Sequence, residues 1–295
     1  MHGKWYVKDW TEPYYPSYAP VEYVSLINRL DGQRFEYKGK VCVTESRIEN
    51  SGRIYTNLVF EDGFSSNYQS LKETERRSVL HDGKPLEMFD VSASQLRVAL
   101  ALRGKTLPFH DSPWDGLVSE VTHDELNDVD PVAKRRFVKR VALMAVKRIK
   151  NIDIKKMWDD EVGVAPKVNR KGVKQEIERA LYGIYPELKD NIPLAALTPD
   201  GYKIQQEKGQ YQLPVKCRPL SIDTKYFIPV YGDPTENNIV EAMEGWLLRE
   251  AIRSLPEGAP VLTCHDEIST DKAYMSNVQH CWEAALSQLA LSTRT

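Results

Sequence analysis

Two short apolar segments, far apart in the chain, each carry an acid to the point where a strand gives way. Pro85-Leu-Glu-Met-Phe-Asp90-Val reads as a short buried strand, and Ser92-Ala-Ser-Gln95 follows with the spacing of a capping box, so residues 96–102 are expected to continue as a helix. Asp90 thus sits where a strand ends and a helix begins. Gly258-Ala-Pro-Val-Leu-Thr-Cys-His265-Asp266-Glu267-Ile-Ser-Thr reads as strand, tight turn, strand. A lone Asp at a helix start or in a turn is ordinary local chemistry. Adjacent carboxylates at a hairpin tip are not, because buried like charges need a cation or protons.

The rest of the chain is read around these two points. Residues 1–35 are rich in aromatics and proline and are expected to form an extended arm. Residues 36–60 alternate as strands do, with Asn50, Ser51 and Gly52 as a turn. Residues 111–190 read as mostly helical, 200–230 as short strands and loops, and 238–254 as an amphipathic helix. The 41% apolar and 28% charged composition excludes a disordered or fibrous chain. No run approaches the ~18–20 apolar residues of a membrane span, and the start lacks the layout of a signal peptide, so a cytoplasmic protein with no membrane partner is expected. Cys42, Cys217, Cys264 and Cys281 are scattered, with no CxxC pair, which indicates neither a disulfide framework nor a zinc site.

A net charge of −2 argues against a generally basic DNA binder, but the average conceals a segregated layout. Residues 134–150 hold eight cations and no acid. At 100° per residue, Arg135, Arg136, Lys139, Arg140, Lys147 and Lys150 fall on one side of a helix, and Phe137, Val138, Val141, Met144, Ala145 and Ile149 on the other. Solvated helix faces usually mix Glu with Lys. A stripe of one sign repels itself unless a polyanion compensates it, and triphosphate or nucleic-acid backbone is the natural candidate.

With these residues in view, the chain resembles the family A DNA polymerases, the bacterial DNA polymerase I group. Phe89-Asp90-Val-Ser-Ala-Ser-Gln95-Leu-Arg is similar to motif A, Cys264-His265-Asp266-Glu267 to motif C, and the helix from Arg135 through Lys139 and Leu143 to Lys147 to motif B of the fingers. Asp90 and Asp266 are 176 positions apart, and Arg53 of Ser51-Gly52-Arg53 precedes Asp90 by 37, both close to that family's spacing. A rival motif B is Arg170-Lys-Gly-Val-Lys174 with Tyr182-Gly183, a form shared with single-subunit RNA polymerases. It places Glu178 where triphosphate would lie, so residues 135–147 are preferred to 170–183.

The resemblance implies an α+β fold: a polymerase palm of antiparallel sheet and helices, with a mostly helical fingers insertion. The boundaries it suggests are an arm over 1–45, palm over 46–110, fingers over 111–214 and palm again over 215–295. It implies a template-directed nucleotidyltransferase in which Asp90 and Asp266 hold two Mg²⁺ ions, with Mn²⁺ as a substitute. Lys139 would act as a catalytic residue, protonating the leaving group, and Arg135 and Arg136 would grip the incoming triphosphate. Gln95, Leu143 and Lys147 would line the nucleotide site. Arg53, His265, Arg140 and Glu267 would lie near the DNA primer–template, with Glu267 a secondary carboxylate.

Several positions depart from the family. Gln95 stands where a sugar-gating Glu is usual, Leu143 where an aromatic is usual, and Lys147-Arg148 where Tyr-Gly is usual. The helix beginning Thr235-Glu-Asn-Asn238 lacks a Gln-Gly start. About 45 residues precede the palm, too few for a thumb or exonuclease domain, which leads to an expectation of no proofreading and of processivity supplied by a partner protein. Two other readings stay open: an RNA-synthesising or primase-like enzyme, and a non-catalytic nucleic-acid-binding descendant of the fold.

Overall fold

The computed structural model describes residues 21–48, 54–149, 152–164, 168–192, 219–220, 226–227 and 236–292. The fold is mixed α+β with antiparallel sheets. The chain divides into two compact units. One takes the described residues up to Val91 and most of the chain from Glu241 to Leu286; the other is built mainly from Ser92 onward through the helical middle of the chain.

In the first unit, α1 (Val21–Leu30) leads into β1 (Arg34–Tyr37), β2 (Lys40–Ile48), β3 (Ile54–Phe60), β4 (Ser65–Asn67), the short α2 (Glu73–Arg76), β5 (Leu80–His81), β6 (Lys84–Pro85) and β7 (Glu87–Asp90). The alternation read over 36–60 is realised as β1, β2 and β3, which join a six-stranded sheet of order β4-β3-β2-β1-β5-β6. On β3 the period-2 pattern buries Ile54, Thr56, Leu58 and Phe60 on one face. Lys38-Gly39 and Asp82-Gly83 close β1–β2 and β5–β6 with φ positive at both residues, as type I′ turns require, and glycine meets that demand without a Cβ clash. The core of this unit joins Phe35, Tyr37, Leu58, Phe60, Tyr68, Val79 and Leu86 to Leu262 and Cys264 of the later hairpin.

The stretch 21–35, expected as extended arm, is helix α1 followed by the start of β1. The apolar spacing Leu26, Ile27, Leu30 buries one helical face, and an extended chain could not do so. This segment also braces the approach to the hairpin. Arg29 donates to the carbonyls of Leu255 and Pro256 at 2.8 and 2.6 Å, and the Gln33 amide clamps both Ala259 O and Val261 N at 2.9 Å. Residues 1–20 and the turn at 49–53 lie outside the described residues.

The second unit contains α3 (Ser94–Ala101), α4 (Pro113–Glu120), α5 (Pro131–Val146), α6 (Ile154–Glu161) and α7 (Arg170–Ile184). Asp130, Asp153 and Asn169 each accept backbone N–H groups at the starts of α5, α6 and α7, satisfying donors that a helix leaves open. Phe137 and Trp158 meet edge to face at 5.1 Å between α5 and α6. The capping box read at Ser92–Gln95 does not form. The N-cap is Ala93, in the left-handed region at φ 60°, and no side chain caps it. Arg97 compensates: although buried, it donates to the carbonyls of Ser92, Leu107, Pro108, Phe109 and Asp111 at 2.8–3.2 Å, and so ties the strand-to-helix turn to the following loop.

Beyond these lie β8 (Pro219–Leu220), β9 (Tyr226–Phe227), α8 (Glu236–Arg253), β10 (Leu262–Cys264), β11 (Glu267–Thr270) and α9 (Met275–Ser292). The expected hairpin is β10–β11, and β7 joins it to give a three-stranded sheet of order β10-β11-β7. Among the described residues, no helix is long and apolar enough to cross a membrane.

Candidate active site

β7 pairs with β11 in antiparallel register, with Asp90 directly opposite Glu267, Met88 opposite Ser269 and Glu87 opposite Thr270. β11 in turn pairs with β10, with Cys264 opposite Glu267. Directly opposed residues send their side chains to the same face of a sheet. Asp90 and Glu267 are therefore neighbours, and Asp266 is the residue just before Glu267. Four residues expected at the site, Asp90, His265, Asp266 and Glu267, come together at one end of this sheet. Asp90 and His265 are exposed, Asp266 is half-buried and Glu267 is buried.

The turn itself is strained. His265 and Asp266 are its two central residues, and His265 sits at φ 56°. A positive φ at the first central position suits glycine, and a side chain there costs roughly 1–2 kcal/mol. His265 is exposed at the hairpin tip.

Glu267 is secured by a residue that the motifs do not reveal. Arg76, at the end of α2, donates Nε to Oε1 at 3.1 Å and an η nitrogen to Oε2 at 2.9 Å, a bidentate pair in which Glu267 is buried and Arg76 partly so. Its other η nitrogen donates to Leu71 O at 2.8 Å. Ser269 Oγ donates to Glu267 Oε1 at 3.4 Å, and the buried Tyr68 hydroxyl lies 2.8 Å from Ser269 Oγ. Burial pushes the Glu267 pKa above the usual carboxylate value; Arg76 opposes that shift and the charge on Asp90 adds to it. Burial likewise raises the Cys264 thiol to about 11, with Arg76 opposing and Glu267, Asp266 and Asp90 reinforcing. Burial raises the Tyr68 hydroxyl as well. Arg76 keeps its charge because the Glu267 pair more than offsets the cost of burial.

Both oxygens of Glu267 are engaged by Arg76, whereas Asp90 is exposed at the strand end. Among the described residues, no group of three or more His, Cys, Asp or Glu is arranged to hold a metal ion.

The remaining expected residues lie in the helical unit, apart from Arg53, which is outside the described residues. Helix α5 carries Arg135, Arg136, Lys139, Arg140 and Leu143; Gln95 is on α3, which packs against α5. The helix buries Phe137, Val138, Val141, Ala142, Ala145 and Val146 and presents the cations on its other side. Two features differ from the sequence reading. The stripe is partly compensated within the protein: Arg135 pairs with Asp115 of α4, and Arg140 with Asp160 and Glu161 of α6 at 3.0 and 3.2 Å. Among the described residues, Arg136 and Lys139 have no acidic partner.

The helix also stops earlier than its charge pattern suggested. Lys147 is the C-cap and Arg148 adopts φ 52°, with Arg148 N bonded to Ala145 O and Ile149 N to Met144 O, a Schellman closure. Arginine occupies the position usually taken by glycine because its guanidinium grips the carbonyls of Leu188, Lys189 and Asp190 and the side chain of Asn191. Lys147 and Arg148 therefore end the helix and do not extend its cationic stripe. In the rival helix, α7, Lys174 is paired with Glu178 at 3.5 Å and Arg170 with Asp159 at 3.6 Å, so both its motif cations face an acid. The stretch 193–218, with Gly201-Tyr202, Gly209 and Leu213-Pro214, is outside the described residues.

No protein-family model matches the chain, and comparison with curated proteins finds no match either.

Proposed function

We propose that this protein is a template-directed nucleotidyltransferase of the DNA polymerase type, extending a 3′-hydroxyl with nucleoside triphosphates. The β-rich unit would serve as palm and the helical unit as fingers. The observation that carries the reading is the register of β7 on β11. Two acids 176 positions apart, Asp90 and Asp266, come to lie at adjacent places at one end of a sheet. Two-metal phosphoryl transfer needs carboxylates at one locus, and Asp90 and Asp266 lie at the same end of the sheet.

Asp90 and Asp266 would hold the divalent ions, which supply acidification of the 3′-hydroxyl and charge neutralisation at the departing pyrophosphate. Asp90, exposed at the strand end, leaves room for substrate oxygens beside it. His265, exposed at the hairpin tip, would offer an imidazole to nucleic-acid backbone or base. Arg136 and Lys139 are exposed cations of α5 without an acidic partner among the described residues, and they would meet the triphosphate, Lys139 donating a proton to the leaving oxygen. Arg135 and Arg140 would have to exchange carboxylate partners for phosphate.

Gln95 and Leu143 favour a second reading in which ribonucleotides are accepted, since both stand where the resembled family excludes ribose. Extension of a labelled primer with dNTPs or rNTPs, with and without primer, separates the two. Mg²⁺-dependent extension with dNTPs, abolished by Asp90→Asn, supports the DNA polymerase reading. Preference for rNTPs, or synthesis without primer, replaces it with the RNA-synthesising one. DNA binding with no extension under any condition leaves the non-catalytic descendant.

A further inference from the structure

Four cations of α5 share the solvent side of the helix, and their order around the axis differs from their order in sequence. At about 100° per residue, Lys139, Arg136 and Arg140 lie roughly 40°, 100° and 140° round from Arg135. Arg135 and Arg140 are therefore the two edges of the stripe, and Lys139 and Arg136 are its middle. Helices α4 and α6 both pack against α5, and each offers acid to one edge. Asp115 of α4 pairs with Arg135, whose other η nitrogen lies 3.5 Å from Ser112 Oγ. Asp160 and Glu161 of α6 share one η nitrogen of Arg140 at 3.0 and 3.2 Å. The preceding Asp159 pairs instead with Arg170 at 3.6 Å. Arg136 and Lys139 are exposed and have no acidic partner among the described residues.

A phosphate that approaches either edge meets a carboxylate already in place and must displace it against like-charge repulsion. What stays open is a window two cations wide, with Arg136 and Lys139 about 4.5 Å apart along the axis. That suits the adjoining phosphates of one triphosphate. A polynucleotide strand gains affinity by adding phosphate contacts along a row of cations, and here the row is cut off on both sides.

We propose that Asp115, Asp160 and Glu161 are specificity-determining residues that confine the phosphate-binding surface of α5 to this window, so that the helix takes a nucleoside triphosphate and rejects polynucleotide backbone. This rests on the reading of α5 as the triphosphate-facing helix given above. An unguarded stripe of four cations would hold primer or template strand in place of the incoming nucleotide. The three acids remove that competitor without touching the substrate.

The test compares two probes on the full chain, a fluorescent nucleoside triphosphate and a labelled oligothymidylate, both without added divalent ions. In Asp115→Asn/Asp160→Asn/Glu161→Gln the edge cations become available, and oligothymidylate binding tightens by about tenfold at low salt. The slope of log affinity against log salt steepens by about 1.4, the value of two added single-strand contacts. Triphosphate affinity changes by no more than about threefold, because exposed charges beside the window are screened by solvent. As a control, Glu36→Gln/Glu61→Gln/Glu257→Gln removes three exposed acids of the β-rich unit, raises the net charge equally and leaves the slope near wild type. Asp115→Asn alone and Asp160→Asn/Glu161→Gln alone each supply about half of the change in slope, which decides the matter should the combined variant not fold. A guard variant that matches the control, or one that tightens both probes by the same factor, overturns the assignment of the three acids. Triphosphate binding that is indifferent to both Arg136→Ala and Lys139→Ala overturns instead the reading of α5 on which the inference rests.

Discussion

Glu267 stands directly across the β7–β11 pair from Asp90, and Arg76 holds both of its oxygens. Like charges set directly opposite in a sheet repel, so this register is tenable because the Arg76 guanidinium neutralises one of the pair. The same contact sets two acids apart: Glu267 turns inward to Arg76, while Asp90 is exposed at the strand end.

Replacing Arg76 with Met should leave Glu267 buried and unpaired, at a cost of about 3–5 kcal/mol. The urea-unfolding midpoint of R76M should fall accordingly, and the double variant R76M/E267M should recover most of the loss. A double variant no more stable than R76M would show that the pair is not the source of the effect.

Asp90→Asn and Asp266→Asn should each reduce Mg²⁺-dependent primer extension by about three orders of magnitude or more, because each removes a ligand of the charge-stabilising centre. Asp90 is exposed, so for Asp90→Asn far-UV circular dichroism and melting temperature should stay near wild type, and DNA binding measured by fluorescence anisotropy should change little.

The cations of α5 should divide by partner. Arg136→Ala and Lys139→Ala should each weaken nucleic-acid or triphosphate binding and lower the slope of log affinity against log salt by about one. Arg135→Ala and Arg140→Ala break pairs that are at least part-exposed, worth about 0–1 kcal/mol each. They should alter the salt slope less, because Asp115, Asp160 and Glu161 already compensate those charges.

Arg148 pairs a backbone cost with side-chain gains. Arg148→Gly relieves the φ of 52° but loses the contacts to residues 188–191, and Arg148→Ala loses the same contacts and keeps the strain. The order of thermal stability should be wild type, then Gly, then Ala, with Gly and Ala separated by about 1 kcal/mol. An Ala variant as stable as the Gly variant would remove the left-handed closure as an explanation.

Burial raises both Cys42 and Cys264 from 9.0 to about 11. Above pH 9 the unfolded chain loses thiol protons that the folded chain retains, so unfolding releases protons and stability falls with rising pH until about 11. Urea midpoints measured across that window should decline, and the decline should be shallower in Cys42→Ala and in Cys264→Ala than in wild type.

Local pattern was read well where neighbours in sequence decide the outcome. The period-2 runs gave β1, β2 and β3, the run before Asp90 gave β7, and the hairpin at 258–270 formed as β10 and β11. The apolar side of 134–150 is buried much as the 100° rotation placed it. Where the local reading erred, a distant contact intervened. Ala93 displaced the capping box because Arg97 satisfies the turn, and α5 ended at Val146 because Arg148 docks on residues 188–191. α1 formed within the expected arm because Leu26, Ile27 and Leu30 had a core to enter.

Strand period and the acids at the two strand ends are properties of short stretches, and the chain alone determined them. The pairing of Asp90 with Glu267, the choice of Arg76 over Arg77 as its partner, and the neutralisation of Arg135 and Arg140 were decided only by the tertiary structure. Arg76 and Arg77 are adjacent and chemically identical, yet one faces a buried carboxylate 191 positions away and the other a surface glutamate one helical turn away. Which carboxylate each arginine meets depends on how α2 seats against β11, a packing outcome for which a local window of sequence carries no signal.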